Sequence, residues 1–344
     1  MASVCHPPCF TLAGATDDSP APIRAIRHAL ALPRENSYLL GPMPENNARL
    51  STAIAGKLLL VVLAVALLAC NPDAKMLRLS CEDGNVADCN ELGYKLVTGD
   101  HVLRDFTWAA RLLQQACDGG VAQGCYRLGR MHEDSLGIVV DLGLMLTLYR
   151  QACDGGEAEG CNKLGVMYRD SVGIVPDLRL AFGLFEQACD GGSMPGCTNL
   201  GLTYQQGARV AQDLARAAGL FQQACDGEEM SGCHNLGESY ATGSGVTQDL
   251  ARAAELYEQA CDSNQMAGCV ELGDLYASGT GVAQDFKRAV ELYRQGCNRR
   301  HGEACYRLGG LYQSGSGVDR SPGRAAFYIG RACDYGYQAA CGSG

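Results

Sequence analysis

Cysteine is the residue type in this chain whose spacing could do chemistry. Sixteen of the 19 cysteines form pairs eight positions apart: Cys81/Cys89, Cys117/Cys125, Cys153/Cys161, Cys189/Cys197, Cys225/Cys233, Cys261/Cys269, Cys297/Cys305 and Cys333/Cys341. Each pair follows the last by 36 residues. Paired thiols can oxidise to disulfides, hold zinc or work as a redox couple. A thiol oxidoreductase wants C-x-x-C with a reactive thiolate, and the chain has none. Structural zinc favours C-x2–4-C spacings, and histidine enters these turns only at His234 and His301. Cys5 and Cys9 have the spacing of a metal half-site but are given no role.

Other catalytic sets are missing as well. None of Lys57, Lys75, Lys95, Lys163 and Lys287 has Ser three positions before it, so there is no S-x-x-K. S-D-N and K-T-G are absent too, which leaves a serine β-lactamase without its activated nucleophile. No H-E-x-x-H occurs; His132 in "MHED" is a lone imidazole beside acids. No catalytic residue, metal set or cofactor is assigned.

The elements that must position the cysteines follow from the 36-residue period. Such a period marks a repeat architecture, in which each unit touches only its neighbours and 344 residues need not mean several domains. At 47% hydrophobic residues the repeats can bury a core, which excludes disorder for them. A formal charge of −10 argues against a nucleic-acid binder, which needs a basic face for the phosphates.

Two helices per repeat are expected. The second is clearer, as in "DLARAAGLFQQAC" (213–225) and "DLARAAELYEQAC" (249–261). It opens on Asp105, Asp141, Asp177, Asp213, Asp249 or Asp285, and on Ser321 before Pro322 in the seventh repeat. Asp and Ser accept hydrogen bonds from the unpaired N–H groups of a first turn, and Pro suits the first helical position. Gly119, Gly155, Gly191 and Gly227 are expected to stop these helices in a left-handed conformation. The first helix carries "GCxxLGxxY", with Leu92, Leu128, Leu164, Leu200, Leu236, Leu272 and Leu308 as core positions, each followed by Gly. A helical Gly costs roughly 0.5–1 kcal/mol against Ala, so its recurrence implies close approach of the paired helix. Tyr168, Tyr204, Tyr240, Tyr276 and Tyr312 read as core.

The combined pattern "LGxxY…GxGVxxDxxRAxxLYxQAC" resembles the Sel-one-like repeat, a relative of the tetratricopeptide repeat, over about 89–340. The C-x7-C pairs resemble a secreted, cysteine-rich bacterial branch of that family, some members of which are labelled β-lactamase-like or penicillin-binding. The resemblance implies an all-α fold, a right-handed α/α superhelical solenoid of about seven 36-residue two-helix repeats. It also implies a scaffold that binds a protein or peptide. A peptidoglycan or other cell-wall fragment, with weak β-lactamase-like hydrolysis, is the alternative, carried by family analogy alone.

The first cysteine of each pair ends one repeat's second helix, and the second lies at the start of the next repeat's first helix. Pairing within a hairpin, as Cys89 with Cys117, would orphan Cys81 and Cys341. C-x7-C pairing orphans none of the 16. Disulfide clamps at the inter-repeat turns are therefore expected, and they need an oxidising compartment.

The N-terminal part agrees with that compartment. "KLLLVVLAVALLAC" (57–70) is a charge, twelve apolar residues and a cysteine, too short to span a bilayer comfortably. Leu67-Leu68-Ala69-Cys70 resembles a bacterial lipobox, with Cys70 as the lipidated residue. Residues 1–42 read as a mis-called or disordered extension, with the true start at Met43; 43–70 as a lipoprotein-type signal peptide; 71–88 as an N-terminal capping half-repeat; and 89–344 as the repeats with a short C-terminal cap. The expected location is a periplasm-facing membrane lipoprotein, at the outer rather than the inner membrane, with secretion as the alternative.

By analogy with tetratricopeptide solenoids, first-helix residues one, five and eight positions after the second cysteine should line a concave binding face. The candidates are Asn90, Tyr126, Asn162, Thr198, His234 and Tyr306 at the first position, Tyr94, Arg130, Glu238 and Asp274 at the fifth, and Glu133, Arg169 and Gln205 at the eighth. With Arg127, Lys163 and Glu271 beside them, the face would run from basic in early repeats to acidic in later ones.

Overall fold

The computed structural model describes residues 72–207 and 209–342. Residues 1–42, the 43–70 segment and Cys70 lie outside the described residues. The described residues divide into two compact bodies, 72–105 and 106–342. In the first, α1 (Pro72–Glu82) packs on α2 (Val86–Thr98). The second body carries α3 (Phe106–Asp118), α4 (Ala122–Glu133), α5 (Leu142–Asp154), α6 (Ala158–Asp170), α7 (Leu178–Asp190), α8 (Met194–Gln206) and α9 (Leu214–Asp226). It continues with α10 (Met230–Thr242), α11 (Leu250–Asp262), α12 (Met266–Ser278), α13 (Phe286–Asn298), α14 (Gly302–Ser314), α15 (Pro322–Asp334) and a 3-10 turn, Gln338–Ala340. Among the described residues there is no strand, and no helix is long and apolar enough to cross a membrane.

From α4 on, each repeat pairs an even-numbered helix, here called A, with the odd-numbered helix B that follows. In the second body each helix packs on its sequence neighbours, and A helices also meet: α6 with α8, α8 with α10, α12 with α14. Asp141, Asp213 and Asp249 each accept from the backbone N–H three residues on, and Ser321 does the same. Asp177 and Asp285 each accept from two such groups. These caps satisfy donors that would otherwise be orphaned. The chain is drawn back to each A helix by a further bond: Asp177 N–H to the Tyr168 carbonyl at 3.1 Å, and Asp249 N–H to that of Tyr240 at 2.9 Å.

The glycine after each core leucine is there for packing. A Cβ on Gly201 would lie 2.6 Å from Cε1 of Phe221, and one on Gly165 would lie 2.6 Å from Cε1 of Phe185. The partners at Gly129, Gly237 and Gly273 are Tyr149, Tyr257 and Tyr293. A B-helix aromatic ring thus rests edge-on against the A-helix backbone, and the core leucines and these rings are buried together.

The expected left-handed stop at Gly119, Gly155, Gly191 and Gly227 is corrected. At the last three, φ is −81°, −77° and −86°. The reversal falls one residue later, at Gly120 (+85°), Gly156 (+89°), Gly192 (+90°) and Glu228 (+63°). Gly155 N–H still reaches the Gln151 carbonyl, so the helix continues through it. The reason for glycine there is steric: a Cβ on Gly155 would meet that of Ala122 at 2.7 Å, at the start of the preceding A helix.

All eight C-x7-C pairs are disulfide-bonded, with Cα separations of 4.5–4.9 Å. They are Cys81–Cys89, Cys117–Cys125, Cys153–Cys161, Cys189–Cys197, Cys225–Cys233, Cys261–Cys269, Cys297–Cys305 and Cys333–Cys341. The second cysteine lies in the first turn of its A helix, as expected. Cys125, Cys161, Cys197, Cys233 and Cys269 do not stand at the first residue of their A helices. Ala122, Ala158, Met194, Met230 and Met266 do, and each of these cysteines is the fourth helical residue, one turn in. The chain must leave the B helix, reverse and re-enter a helix before it returns within bonding reach of the B-helix cysteine. The result is depth: Cys125, Cys161, Cys197, Cys233 and Cys269 have at most 2% of their surface exposed. These sulfurs are therefore part of the packed core and not of the turn's outer surface.

Closing so short a loop restricts the unfolded chain by about 2.5 kcal/mol in the entropy model. The turn is also packed tightly beside the bond. A Cβ on Gly160, Gly196 or Gly232 would lie 2.6–2.7 Å from that of Ala152, Ala188 or Ala224 on the preceding B helix. Between α13 and α14 the two residue types exchange places: Gly296 precedes Cys297, Ala304 precedes Cys305, and a Cβ on Gly296 would meet Ala304 at 2.7 Å.

Candidate functional site

The A helices present their surface in ladders, because equivalent positions recur one repeat apart. The candidates separate by depth. Asn90, Asn162 and Thr198 are buried, with 4–6% of their surface exposed. They sit in the packing between helices rather than on an open face, and Asn162 Oδ1 accepts from Asn199 Nδ2 at 2.8 Å. The residue before each of these first-position candidates is a disulfide cysteine. Cys125, Cys161, Cys197, Cys233 and Cys269 are buried and bonded, so they hold the A helices in place and offer no thiol to a ligand. Tyr126, His234 and Tyr306 at the first position are half-buried. Arg130, Arg169, Gln205 and Asp274 are half-buried, and Glu238 is exposed. Asn90 and the exposed Tyr94 belong to the first body.

The basic end of the expected gradient is compensated. Glu133 accepts from Lys163 Nζ at 2.8 Å and from the Tyr149 hydroxyl at 2.8 Å, and Arg130 Nε lies 3.3 Å from it. Arg130 also reaches Asp134 at 3.2 Å. Burial alone would raise the Glu133 carboxyl. The Lys163 and Tyr149 hydrogen bonds and the Lys163 and Arg130 charges hold it below the usual carboxylate value. Arg169 forks onto both oxygens of Asp170, at 2.7 and 2.9 Å, and donates to Asn199 Oδ1 at 2.7 Å. The hydrogen bond and charge of Arg169 hold the Asp170 carboxyl down.

The acidic end differs. Glu238 on α10, Glu271 and Asp274 on α12, and Glu303 on α14 form one electrostatic group. Arg307 serves two of them, at 3.0 Å from Asp274 and 3.2 Å from Glu303. Asp274 also accepts from the Tyr293 hydroxyl. Neither Glu238 nor Glu271 has an ion-pair partner among the described residues. Burial, followed by the charges of Asp274, Glu303 and Glu238, pushes the Glu271 carboxyl up, with Arg307 opposing. His234 is pushed below the ordinary imidazole value by burial, against the pull of Glu238. A cleft of about 320 Å³ lies alongside, lined by Asp274, Tyr293, Tyr306, Arg307 and Gln313 among others.

Several contributors were not among the candidates: Asp134, Asp170, Asn199, Glu303, Arg307 and the B-helix tyrosines Tyr149, Tyr257 and Tyr293. A signal for the tyrosines exists in the sequence. The B-helix ring is Tyr149, Phe185, Phe221, Tyr257 and Tyr293 in successive repeats. The hydroxyl is present where the preceding A helix carries an acid at the fifth or eighth position, namely Glu133, Glu238 or Asp274. It is absent behind Val166/Arg169 and Leu202/Gln205.

Among the described residues no three His, Cys, Asp or Glu side chains converge as metal ligands would. A comparison with curated proteins finds no match. Solved structures do match. A protective antigen of uropathogenic Escherichia coli with an SLR fold is 26% identical, with a TM-score of 0.65 over 78% of this chain and 58% of that one. This chain therefore spans less than two thirds of that protein. A Sel1 repeat protein from Oxalobacter formigenes is 22% identical, with a TM-score of 0.58 over 62% of this chain and 85% of its own. Helicobacter pylori cysteine rich protein B is 30% identical over 38% of this chain and 93% of its own, with a TM-score of 0.32. The Sel1 repeat profile matches residues 87–121, 122–157, 158–193, 195–228, 231–265, 267–301 and 302–337. With seven matched units, the two-helix frame and the α/α superhelical neighbours in agreement, the chain belongs to the Sel1 repeat family, whose fold is a scaffold typical of protein–protein interaction.

Proposed function

We propose that this protein is an exported, lipid-anchored scaffold that binds a protein or peptide segment along the face lined by its A helices. One observation carries the reading: the frame of leucine, glycine, ring and disulfide repeats almost unchanged, while the A-helix face changes from ion-paired at α4–α6 to a group of acids at α10–α14 in which Glu238 and Glu271 have no ion-pair partner. A face that varies on an invariant frame is how a solenoid acquires a specific partner. The uncompensated acids call for a basic stretch of that partner and would orient it and speed its association more than tighten it. Eight disulfides need an oxidising compartment, which supports export. Lipidation at Cys70 would add the membrane anchor.

The test is a pull-down under non-reducing conditions with three proteins: wild type, Glu238→Lys/Asp274→Lys on the A face, and Arg252→Glu/Glu255→Lys on the exposed surface of α11. A recurrent partner should be retained by wild type and the α11 variant, and lost or slowed, less so in high salt, by the A-face variant. Retention by the A-face variant together with loss from the α11 variant would overturn the assignment. For the anchor, Cys70→Ser should release the protein from membranes or block its processing, and an unchanged membrane fraction would remove that part of the reading.

A further inference from the structure

On the proposed face, the α10–α12 stretch carries a second, more local feature. Tyr257 on α11 has 2% of its surface exposed, yet its hydroxyl makes no hydrogen bond among the described residues. Its counterparts do: Tyr149 donates to Glu133 and Tyr293 to Asp274, each on the paired A helix. Tyr257 rests on Gly237 in the same register, which aims its hydroxyl at the same face. The carboxylates acting on it are Glu271 and Glu238, the two acids without an ion-pair partner. Beside it, with ring centroids 5.7 Å apart, His234 carries a buried Nε2 that also lacks a hydrogen-bond partner. The charges of Glu238 and Glu271, both exposed, thus act on a phenol oxygen without a hydrogen-bond partner, and that of Glu238 acts on the neighbouring imidazole, whose Nε2 is unpartnered.

We infer that this niche receives one basic side chain, a lysine ammonium or arginine guanidinium, from a segment lying along the A-helix face. Glu238 and Glu271 supply the counter-charge, and the Tyr257 oxygen at the floor accepts one N–H while its own proton turns to a carboxylate. Charge-assisted bonds of this kind are the strong ones. The inference rests on the scaffold reading above for the segment that delivers the side chain.

The experiment is an NMR titration of the exported, disulfide-bonded protein with the blocked pentapeptide acetyl-Ala-Ala-Lys-Ala-Ala-amide, following the His234 ring and the Glu271 amide. The lysine peptide should shift both signals saturably, and its norleucine analogue should not. Glu238→Gln/Glu271→Gln should weaken the lysine peptide about tenfold. Tyr257→Phe restores the ring found at Phe185 and Phe221, so it should fold normally and bind a few-fold more weakly. Equal shifts from the norleucine peptide, undiminished binding by the double variant, or tighter saturation by calcium ions than by the peptide would each overturn the niche. Its failure is separable from failure of the scaffold reading. A partner lost on A-face charge reversal with no lysine-peptide shift removes the niche alone. Lysine-peptide binding by a protein whose partner ignores the A face removes the scaffold assignment alone.

Discussion

Glycine does two opposite jobs in these helices, and single substitutions separate them. Gly201 faces the Phe221 ring, where a Cβ would sit 2.6 Å from ring carbon, whereas Gly219 on α9 has no atom within 4 Å of such a Cβ. Gly201→Ala should destabilise by about 1–3 kcal/mol through overpacking. Gly219→Ala should stabilise by about 0.5–1 kcal/mol, because it only removes the entropic penalty of a helical glycine. Denaturant melts of the oxidised protein check both signs. A stable Gly201→Ala would mean that the ring moves away freely and that the A–B contact is looser than the geometry requires. The tyrosines follow the same local logic. A buried ring tolerates a hydroxyl where a carboxylate receives its proton, as Glu133 does for Tyr149, and Phe185 and Phe221 stand where none is offered.

At the scale of elements, the contact to explain is the inter-repeat turn. The disulfide brings the first turn of an A helix against the end of the preceding B helix so closely that, in the six turns from Cys117–Cys125 to Cys297–Cys305, one side is glycine. In most turns it is on the A side, as at Gly232 against Ala224, and between α13 and α14 it is on the B side, as Gly296 against Ala304. The requirement belongs to the pair, so the two residues should be coupled. Gly232→Ala alone should cost about 1–3 kcal/mol. Adding Ala224→Gly should return much of that, less the roughly 0.5–1 kcal/mol of a new helical glycine. A double-mutant cycle by denaturation measures the coupling. Simple additivity would show that the two Cβ atoms do not compete for one space.

Across the whole molecule, stability is a sum of similar units and neighbour interfaces. Removing one clamp, Cys153→Ser/Cys161→Ser, should cost about 2.5 kcal/mol. It should also raise amide exchange around α5 and α6 before it does so around α11 to α14, because nearest-neighbour contacts confine the loss. Hydrogen exchange with peptide-level readout distinguishes this from uniform loosening, which would point to a single cooperative core. Free thiols in the mature protein, or Cys89 joined to Cys117, would remove the clamp itself.

The sequence by itself determined the frame. The period, the capping Asp and Ser residues, the leucine–glycine pairs and the cysteine count each express short-range physics: helix ends need acceptors, close helices need glycine, and thiols eight apart around a turn can meet. These constraints act within one repeat or between adjacent ones, so they are written locally and recur. Other features were decided by tertiary structure alone. The left-handed residue sits at Gly156, and glycine is needed at Gly155 because the preceding A helix occupies the space of a Cβ there. Cys125, Cys161, Cys197, Cys233 and Cys269 are buried in the core, where the paired helices close over them. Asn162 and Thr198 are packed inside, where a face read from spacing would have exposed them. Arg130, Lys163 and Arg169 are neutralised by Glu133, Asp134 and Asp170, while Glu238 and Glu271 are left without a partner. A list of charges cannot show which are compensated, because compensation depends on distances between side chains of successive helices, and those are fixed only when the repeats stack.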